Sequence, residues 1–479
     1  MTITPGPELG RVPRTVAIIG GGFTGATVAL HLARALPDDP VSVLIVEPRP
    51  ELGAGLAYST RDPSHRINVP ADRMTADCAI EDGFQRWIDA TRPGLSLGTA
   101  DPEGGLFPQR ALVAAYLQSL LQPHLRSGRV RHVQAEAREV LPGERFSILL
   151  DDGSRIEADR IVIATTHPPP GIPAALAHLR RDPRLIADPS DAARLAAARS
   201  AGKILVVGTG LTSADVIASL DRQGYAGTIT ALSRRGQRSR GHRFGYAASE
   251  ADFATVPETT ALGLLRRVRK AVRRDLSLGL PWQATLDRAR RDAPAIWAAL
   301  PQTERARLLL KLRPWWDVHR FRVAPQIEAV IDRLIAVGRL EILAARLIRA
   351  ETSEKGLVVT WHARGGETTT ETFDAVILTT GPAHGGIVGS SALLSAMSRE
   401  GLIRADPLGL GLEVTDHSLA VGADARPTPR LHVAGPLARG HIGELMGIPE
   451  VTAHAEGVAA RIAAELAPVP RRSATSAQD

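Results

Sequence analysis

At 479 residues the chain exceeds a single hydrophobic core, so at least two domains are expected. It is 44% hydrophobic and 23% charged, the ordinary globular range, and no apolar run is long enough to span a bilayer. The single cysteine, Cys78, excludes an internal disulfide and the two-cysteine redox centre of disulfide reductases. Met1 to Arg14 is polar and lacks a signal-peptide core, so a cytoplasmic location is expected. The net charge of +7 reflects arginine spread along the whole chain rather than a nucleic-acid surface. Its densest cluster, Arg266 to Arg274, reads as the solvated face of an amphipathic helix. Neither a membrane partner nor a metal site is expected.

In chain order, Thr15 to Ile19 reads as a buried strand ending at Gly20-Gly21-Gly22-Phe23-Thr24-Gly25, followed by a helix over Thr27 to Leu36 and a second strand, Val41 to Val46. Strand, glycine loop, helix, strand and acid is the order of a dinucleotide-binding unit. Gly20 permits the turn, Gly22 lets backbone approach a pyrophosphate, and Gly25 lets helix and strand pack closely. Glu47, about twenty residues further on, suits ribose hydroxyls, so this site is assigned to FAD. Alternating strands from Val130 lead to another buried strand, Ile161 to Thr166.

The same order then repeats. Ile204 to Val207 leads into Gly208-Thr209-Gly210-Leu211-Thr212-Ser213, then a helix from Ala214 to Leu220 and a strand from Thr228 to Leu232. Ser213 stands where the third glycine would, and Ser233-Arg234-Arg235 stand where the acid would. A hydroxyl and guanidinium groups there bind a 2′-phosphate that a carboxylate would repel, so the second nucleotide is expected to be NADPH. Glu258 to Val337 is helical by periodicity and punctuated by prolines. Leu340 to Gly381 repeats the meander and closing strand. The expected fold is α/β: two Rossmann-like domains, the NADPH domain inserted in the FAD domain, with a helical insertion. The expected boundaries are 14–170 and 340–466 for FAD, 171–257 for NADPH, 258–339 for the insertion and 467–479 for a disordered tail.

With these loops, Gly53 to Thr60, Asp62 to Met74, Trp315 to Arg322 and Leu431 to Pro436, the chain resembles a bacterial FAD/NAD(P)-binding family of two-domain flavoproteins. That family is similar to class B flavin monooxygenases, including amino-acid N-hydroxylases. Asp374 to Gly381 resembles the late N-hydroxylase sequence D-x-x-x-L/F-A-T-G-Y, with Thr379 in place of alanine and Pro382 in place of tyrosine. The resemblance adds Val69, Met74, Gly435 and Pro436 to the FAD site.

FAD with NADPH implies hydride transfer to the flavin, and without a dithiol the electrons are expected to pass to O2. The leading expectation is an NADPH-dependent monooxygenase that oxygenates a heteroatom of a small polar substrate, such as an amino-acid amine, through a C4a-hydroperoxyflavin. The alternatives are an NADPH:acceptor reductase and a non-catalytic redox-sensing module. His65 and Asn68 are the catalytic candidates, expected near the isoalloxazine. His319, Arg320 and Arg322 are candidates for a substrate carboxylate clamp, and Arg439, after the Gly435-Pro436 turn, is a further substrate-binding candidate, expected to face cofactor or substrate. Oligomeric state is left open.

Overall fold

The computed structural model describes residues 14–37, 39–95, 104–165, 168–381 and 386–467, and the expected disordered tail lies almost wholly outside them. Strand β1 (Arg14–Ile19) is apolar on both faces and fully buried from Val16 to Ile18, as the centre of a parallel sheet requires. Helix α1 (Phe23–Ala35) returns the chain to β2 (Val41–Val46), which pairs parallel to β1. Two further helices follow, α2 (Gly83–Thr91) and α3 (Ala111–Arg126), before β3 (Val130–Val133) joins β2. Strands β4 (Ala137–Leu141), β5 (Phe146–Leu150) and β6 (Arg155–Ala158) form a separate antiparallel meander. Its last turn feeds β7 (Arg160–Ile163), which pairs parallel to the other side of β1.

The second domain begins with β8 (Leu185–Ile186) and the short helix α4 (Ala192–Ala197). Strand β9 (Lys203–Val207), helix α5 (Leu211–Arg222) and β10 (Thr228–Ser233) reproduce the first unit. Five helices follow: α6 (Ala261–Ser277), α7 (Trp282–Arg291), α8 (Ala293–Ala299), α9 (Gln302–Lys311) and α10 (Arg313–Arg320). They gather around their own small core of Phe253, Leu264, Ala289, Ile296 and Leu300. Helix α11 (Pro325–Ala336) instead packs on α5. Strands β11 (Leu340–Ser353), β12 (Gly356–Ala363), β13 (Thr368–Phe373) and β14 (Ala375–Leu378) then complete a seven-stranded sheet in the order β13-β12-β11-β10-β9-β14-β8.

Two expected boundaries are corrected here. The chain does not rejoin the first domain at Leu340, because β11 pairs parallel to β10 and β14 pairs parallel to β9. The meander and closing strand therefore belong to the second sheet, just as β4 to β7 belong to the first. The insertion ends before α11, which serves as the crossover helix between β10 and β11. The return to the first domain follows residue 386, through α12 (Ala392–Arg399), β15 (Leu419–Val421) and β16 (Pro427–Val433). Strand β16 adds parallel to β7, giving the order β15-β16-β7-β1-β2-β3. A short helix α13 (Arg439–Ile442) precedes α14 (Ile448–Leu466), which lies on α1. Among the described residues no helix is long and apolar enough to cross a membrane, and no group of His, Cys, Asp and Glu could hold a metal ion.

Candidate functional site: two nucleotide crevices and a polar hinge

Register brings the expected FAD residues together at the carboxyl ends of the first sheet. Ile19 lies beside Val46 on one side and Ile163 on the other, and Val433 lies beside Ile163. Gly20, Glu47, Ala164 and Gly435, each close behind one of those residues, therefore converge where strand order reverses, which is where open α/β sheets bind ligands. Gly20 has φ of +103°, and a Cβ there would sit 2.5 Å from the Ala164 carbonyl oxygen. A Cβ on Gly25 would lie 1.9 Å from the Gly20 carbonyl oxygen, so helix and loop touch backbone to backbone. Glu47 is only 5% exposed. Its carboxylate accepts the Gly21 N–H at 2.8 Å and the Arg49 N–H at 3.1 Å. Helix α1 starts at Gly22 with no side-chain cap and no acid in its first turn, leaving its first N–H groups to a bound anion.

The walls of this crevice are apolar. Phe23, Val69 and Met74 are buried in the main core, and Gly435 packs its Cα on the side chain of Thr24. The Gly435 turn is held from behind. Its N–H donates to His454 Nδ1 at 3.0 Å, and Nε2 of the same ring meets the Ser418 hydroxyl at 3.0 Å. Burial holds the His454 imidazole down to about 4, the neutral form this geometry needs. Pro436 follows at the start of the short 3-10 turn.

The second crevice repeats the geometry with different chemistry. Val207 lies beside Leu232 and Leu378, so Gly208, Ser233 and Thr379 are neighbours. Helix α5 starts at Gly210, again without a side-chain cap or an acid in its first turn. Thr212 is exposed in that turn and Ser213 is buried. The Ser233 hydroxyl accepts from Thr209 Oγ1 at 2.8 Å and from the Gly236 N–H at 3.1 Å, closing the loop where a carboxylate stands in the first site. Arg234 is exposed, and the Arg235 guanidinium lies 5.9 Å from the Trp315 ring with Nη1 buried and unpaired. Both crevices thus fit a dinucleotide: uncapped helix N-termini for phosphates, an acid beside one and free guanidinium groups beside the other.

His65 occupies a place the sequence did not suggest. Its Nε2 meets Ser219 Oγ on α5 at 3.0 Å and its Nδ1 meets Thr60 Oγ1 at 2.8 Å. Ser219 in turn donates to Asp62 Oδ2 at 2.7 Å, and Arg222 Nε donates to Asp62 Oδ1 at 3.1 Å. Nearby, Arg110 bonds Asp215 of α5 at 2.9 Å and the Arg66 carbonyl at 3.0 Å. The segment between Thr60 and Arg66 therefore grips the helix that forms the second nucleotide site. Both ring nitrogens of His65 are thus engaged, one within its own segment at Thr60 and one across the domain boundary at Ser219 of α5. Asn68 differs. Its carbonyl accepts from His242 Nε2 at 3.1 Å, while its carboxamide has no partner among the described residues.

The residues expected to clamp a carboxylate meet the protein's own groups. Arg320 pairs with Glu444 at 2.7 Å and approaches Glu450 at 3.6 Å, and Arg322 pairs with Asp287 at 2.7 Å. His319 is tied to the Trp315 carbonyl at 2.7 Å and abuts Trp282. Protein carboxylates pair with both arginines, although Nη2 of Arg320 is buried without a hydrogen bond. Arg439, also buried, has no carboxylate within 4 Å among the described residues, though Asp317, Glu444 and Asp406 lie near enough to act on its charge.

Residues 17–168 match a family model described as FAD-NAD(P)-binding. The chain matches none of the curated proteins. Among solved structures it is similar to the ornithine hydroxylase of Pseudomonas aeruginosa in its reduced form, at 17% identity over 95% of this chain and 100% of that one, TM-score 0.63. It is similar to the ornithine N-hydroxylase of Kutzneria sp. 744 with reduced FAD, NADP+ and L-ornithine, at 15% identity over 94% and 99%, TM-score 0.58. It is also similar to the bacillithiol disulfide reductase of Staphylococcus aureus, at 14% identity over 95% and 100%, TM-score 0.55. At these identities the likeness shows the fold: two Rossmann-like domains, the first of them of the FAD/NAD(P)-binding kind.

Proposed function

We propose that the protein is an NADPH-dependent FAD monooxygenase that oxygenates a heteroatom of a small polar substrate, with an amino-acid amine nitrogen as the target. The observation that carries this reading is the opposed chemistry of two equivalent crevices, Glu47 at one and Ser233, Arg234 and Arg235 at the other. The resemblance of the whole fold to amine hydroxylases supports it. So does the lone exposed Cys78, which leaves the chain without a dithiol to receive electrons.

The α1 N-terminus, with Gly20, Gly22, Thr24 and Gly25, would hold the FAD diphosphate, with Glu47 on the ribose and Val69, Met74, Gly435 and Pro436 as walls. Gly208, Gly210, Thr212 and Ser213 would hold the NADPH diphosphate, with Ser233, Arg234 and Arg235 on its 2′-phosphate. FAD bound there would supply hydride acceptance from NADPH and activation of O2. The chain's own work is to exclude water and orient the reactants. The grip of Asp62 and His65 on α5 sets one crevice against the other, and the unpaired Asn68 carboxamide offers both a donor and an acceptor. For an amine the reaction balances as R–NH2 + NADPH + H+ + O2 giving R–NHOH + NADP+ + H2O.

The test supplies isotopically heavy O2, NADPH and a panel of primary amines to the FAD-loaded enzyme and reads product mass. One heavy oxygen atom in the product is expected. If all NADPH electrons emerge as H2O2 with every amine, the oxygenase reading falls and an electron-transfer role replaces it.

A further inference from the structure

Although arginine is spread along the whole chain, its excess over acid is not. Residues 261–311, from α6 to α9, hold twelve basic side chains and four acidic ones, and the rest of the chain is within one charge of neutral. Helix α6 carries six of the twelve. Its single acid, Asp275, is buried and accepts the hydroxyl of Thr285 on α7. The helix has two opposed faces. Leu264, Val268, Ala271 and Asp275, spaced four, three and four apart, turn inward, the first three onto the insertion's own core.

The outward face has the same spacing: Leu262, Arg266, Arg269, Arg273 and Leu276, with Lys270 beside them, all exposed. It carries no acid. Arg267 and Arg274, at its margins, pair with Glu258 and Glu250 of the preceding loop. Arg266, Arg269, Lys270 and Arg273 have no side-chain partner among the described residues. Leu262 is 53% exposed and Leu276 55%, and Leu278, just past the helix, is 62% exposed. A single exposed leucine is ordinary. Here two stand at the ends of one cationic row, about 21 Å apart at 1.5 Å per residue, on the side of the helix that water should claim. A phosphodiester backbone would neutralise the cations and leave the leucines in water. A surface of anionic phospholipid takes both, with headgroup phosphates for the cations and the acyl boundary beneath for the leucines.

We propose that the outer face of α6 docks the protein on an anionic phospholipid surface, its four unpaired cations on the headgroup phosphates and Leu262 and Leu276 in the layer below. In sequence this run reads as a solvated face, because the exposure of its end leucines appears only in the fold. None of these side chains lines a nucleotide crevice, so the docking face stands independently of the oxygenase reading.

The test floats the FAD-loaded protein with vesicles of phosphatidylglycerol and phosphatidylcholine in equal parts, and with vesicles of phosphatidylcholine alone. A third arm adds a short DNA duplex to the anionic vesicles at equal phosphate concentration. The wild type is expected to float with the anionic vesicles and not the neutral ones, to be released as salt rises, and to stay mostly bound against the duplex. Arg269→Glu with Arg273→Glu is expected to weaken attachment about tenfold or more. Leu262→Ser with Leu276→Ser should do the same once salt screens the charges. Both pairs are expected to keep their flavin and the wild-type Tm, since all four side chains are exposed. A wild type that ignores anionic vesicles overturns the proposal, as does a charge-reversed protein that binds them equally well. Attachment unchanged by the leucine replacements, or complete displacement by the duplex, would make the face a site for nucleic acid or another polyanion and equally overturn it.

Discussion

The two glycine loops start from one geometry and diverge at their second and third glycine positions. In the first, Gly25 meets Gly20 backbone to backbone and a buried carboxylate braces the Gly21 N–H. In the second, Ser213 replaces the third glycine, and a Cβ on Gly210 would meet nothing within 4 Å. Both turns are closed at the first glycine, where a Cβ would lie 2.5 Å from the Ala164 carbonyl oxygen at Gly20 and 2.4 Å from the Thr379 carbonyl oxygen at Gly208; at the second glycine, Gly22 faces Gly55 at 3.4 Å and Gly210 faces open space. A resident cofactor and an exchanging one need that difference, since tight packing favours retention and an open loop favours release.

The largest expected effect breaks the first loop. Gly25→Val forces a side chain into the Gly20 carbonyl and is expected to cost more than about 3 kcal/mol, with loss of bound flavin. Denaturant unfolding and the flavin-to-protein absorbance ratio measure it. Acid comes next. His454 and His242 are each held down to about 4 by burial, against about 6.5 unfolded. The unfolded chain therefore binds more protons between those values, so stability is complete above about pH 6.5 and is lost as pH falls toward 4. About 2 kcal/mol per histidine should be gone by pH 5. Because His454 holds the Gly435 turn, flavin fluorescence should appear on acidification before NADP+ binding fails; simultaneous loss would remove the asymmetry between the crevices.

Smaller effects sharpen the second loop. Replacing Arg234 and Arg235 together by alanine is expected to weaken NADP+ binding about tenfold or more, roughly 1.4 kcal/mol, and to leave NAD+ binding unchanged in calorimetry. Gly210→Ala should change stability by less than about 0.5 kcal/mol, since its backbone is not left-handed and the space is open. Unfolding that shifts as far as it does for Gly25→Val would show that Gly210 is enclosed rather than open.

The loops, their repetition and the contrast of Glu47 with Arg234-Arg235 were legible in the residues, because each is a local pattern with a local physical reason. The limit at Leu340 was not. A meander followed by a buried strand is the same sequence signal in either domain, and only pairing decides that Ala375–Leu378 lies on β9. Nor could spacing reveal that Arg320 meets Glu444 or that His65 meets Ser219, since those partners are far away in the chain. The Asp374 segment is the instructive case. Asp374 accepts the Gly202 and Lys203 N–H groups at 2.7 and 2.8 Å, and Asp159 accepts the Thr15 N–H at 2.6 Å at the matching place in the first domain. An acid that brackets the start of both central strands reports the doubled fold, not amine chemistry.

The division of labour between the crevices is tested most directly by mixing FAD-loaded protein with NADPH or NADH in the absence of oxygen and following the flavin absorbance. Complete bleaching by NADPH, about tenfold or more faster than by NADH at equal concentration, is predicted, with that preference lost when Arg234 and Arg235 are both alanine. A flavin that stays oxidised in NADPH, or that NADH reduces equally fast, would contradict the account.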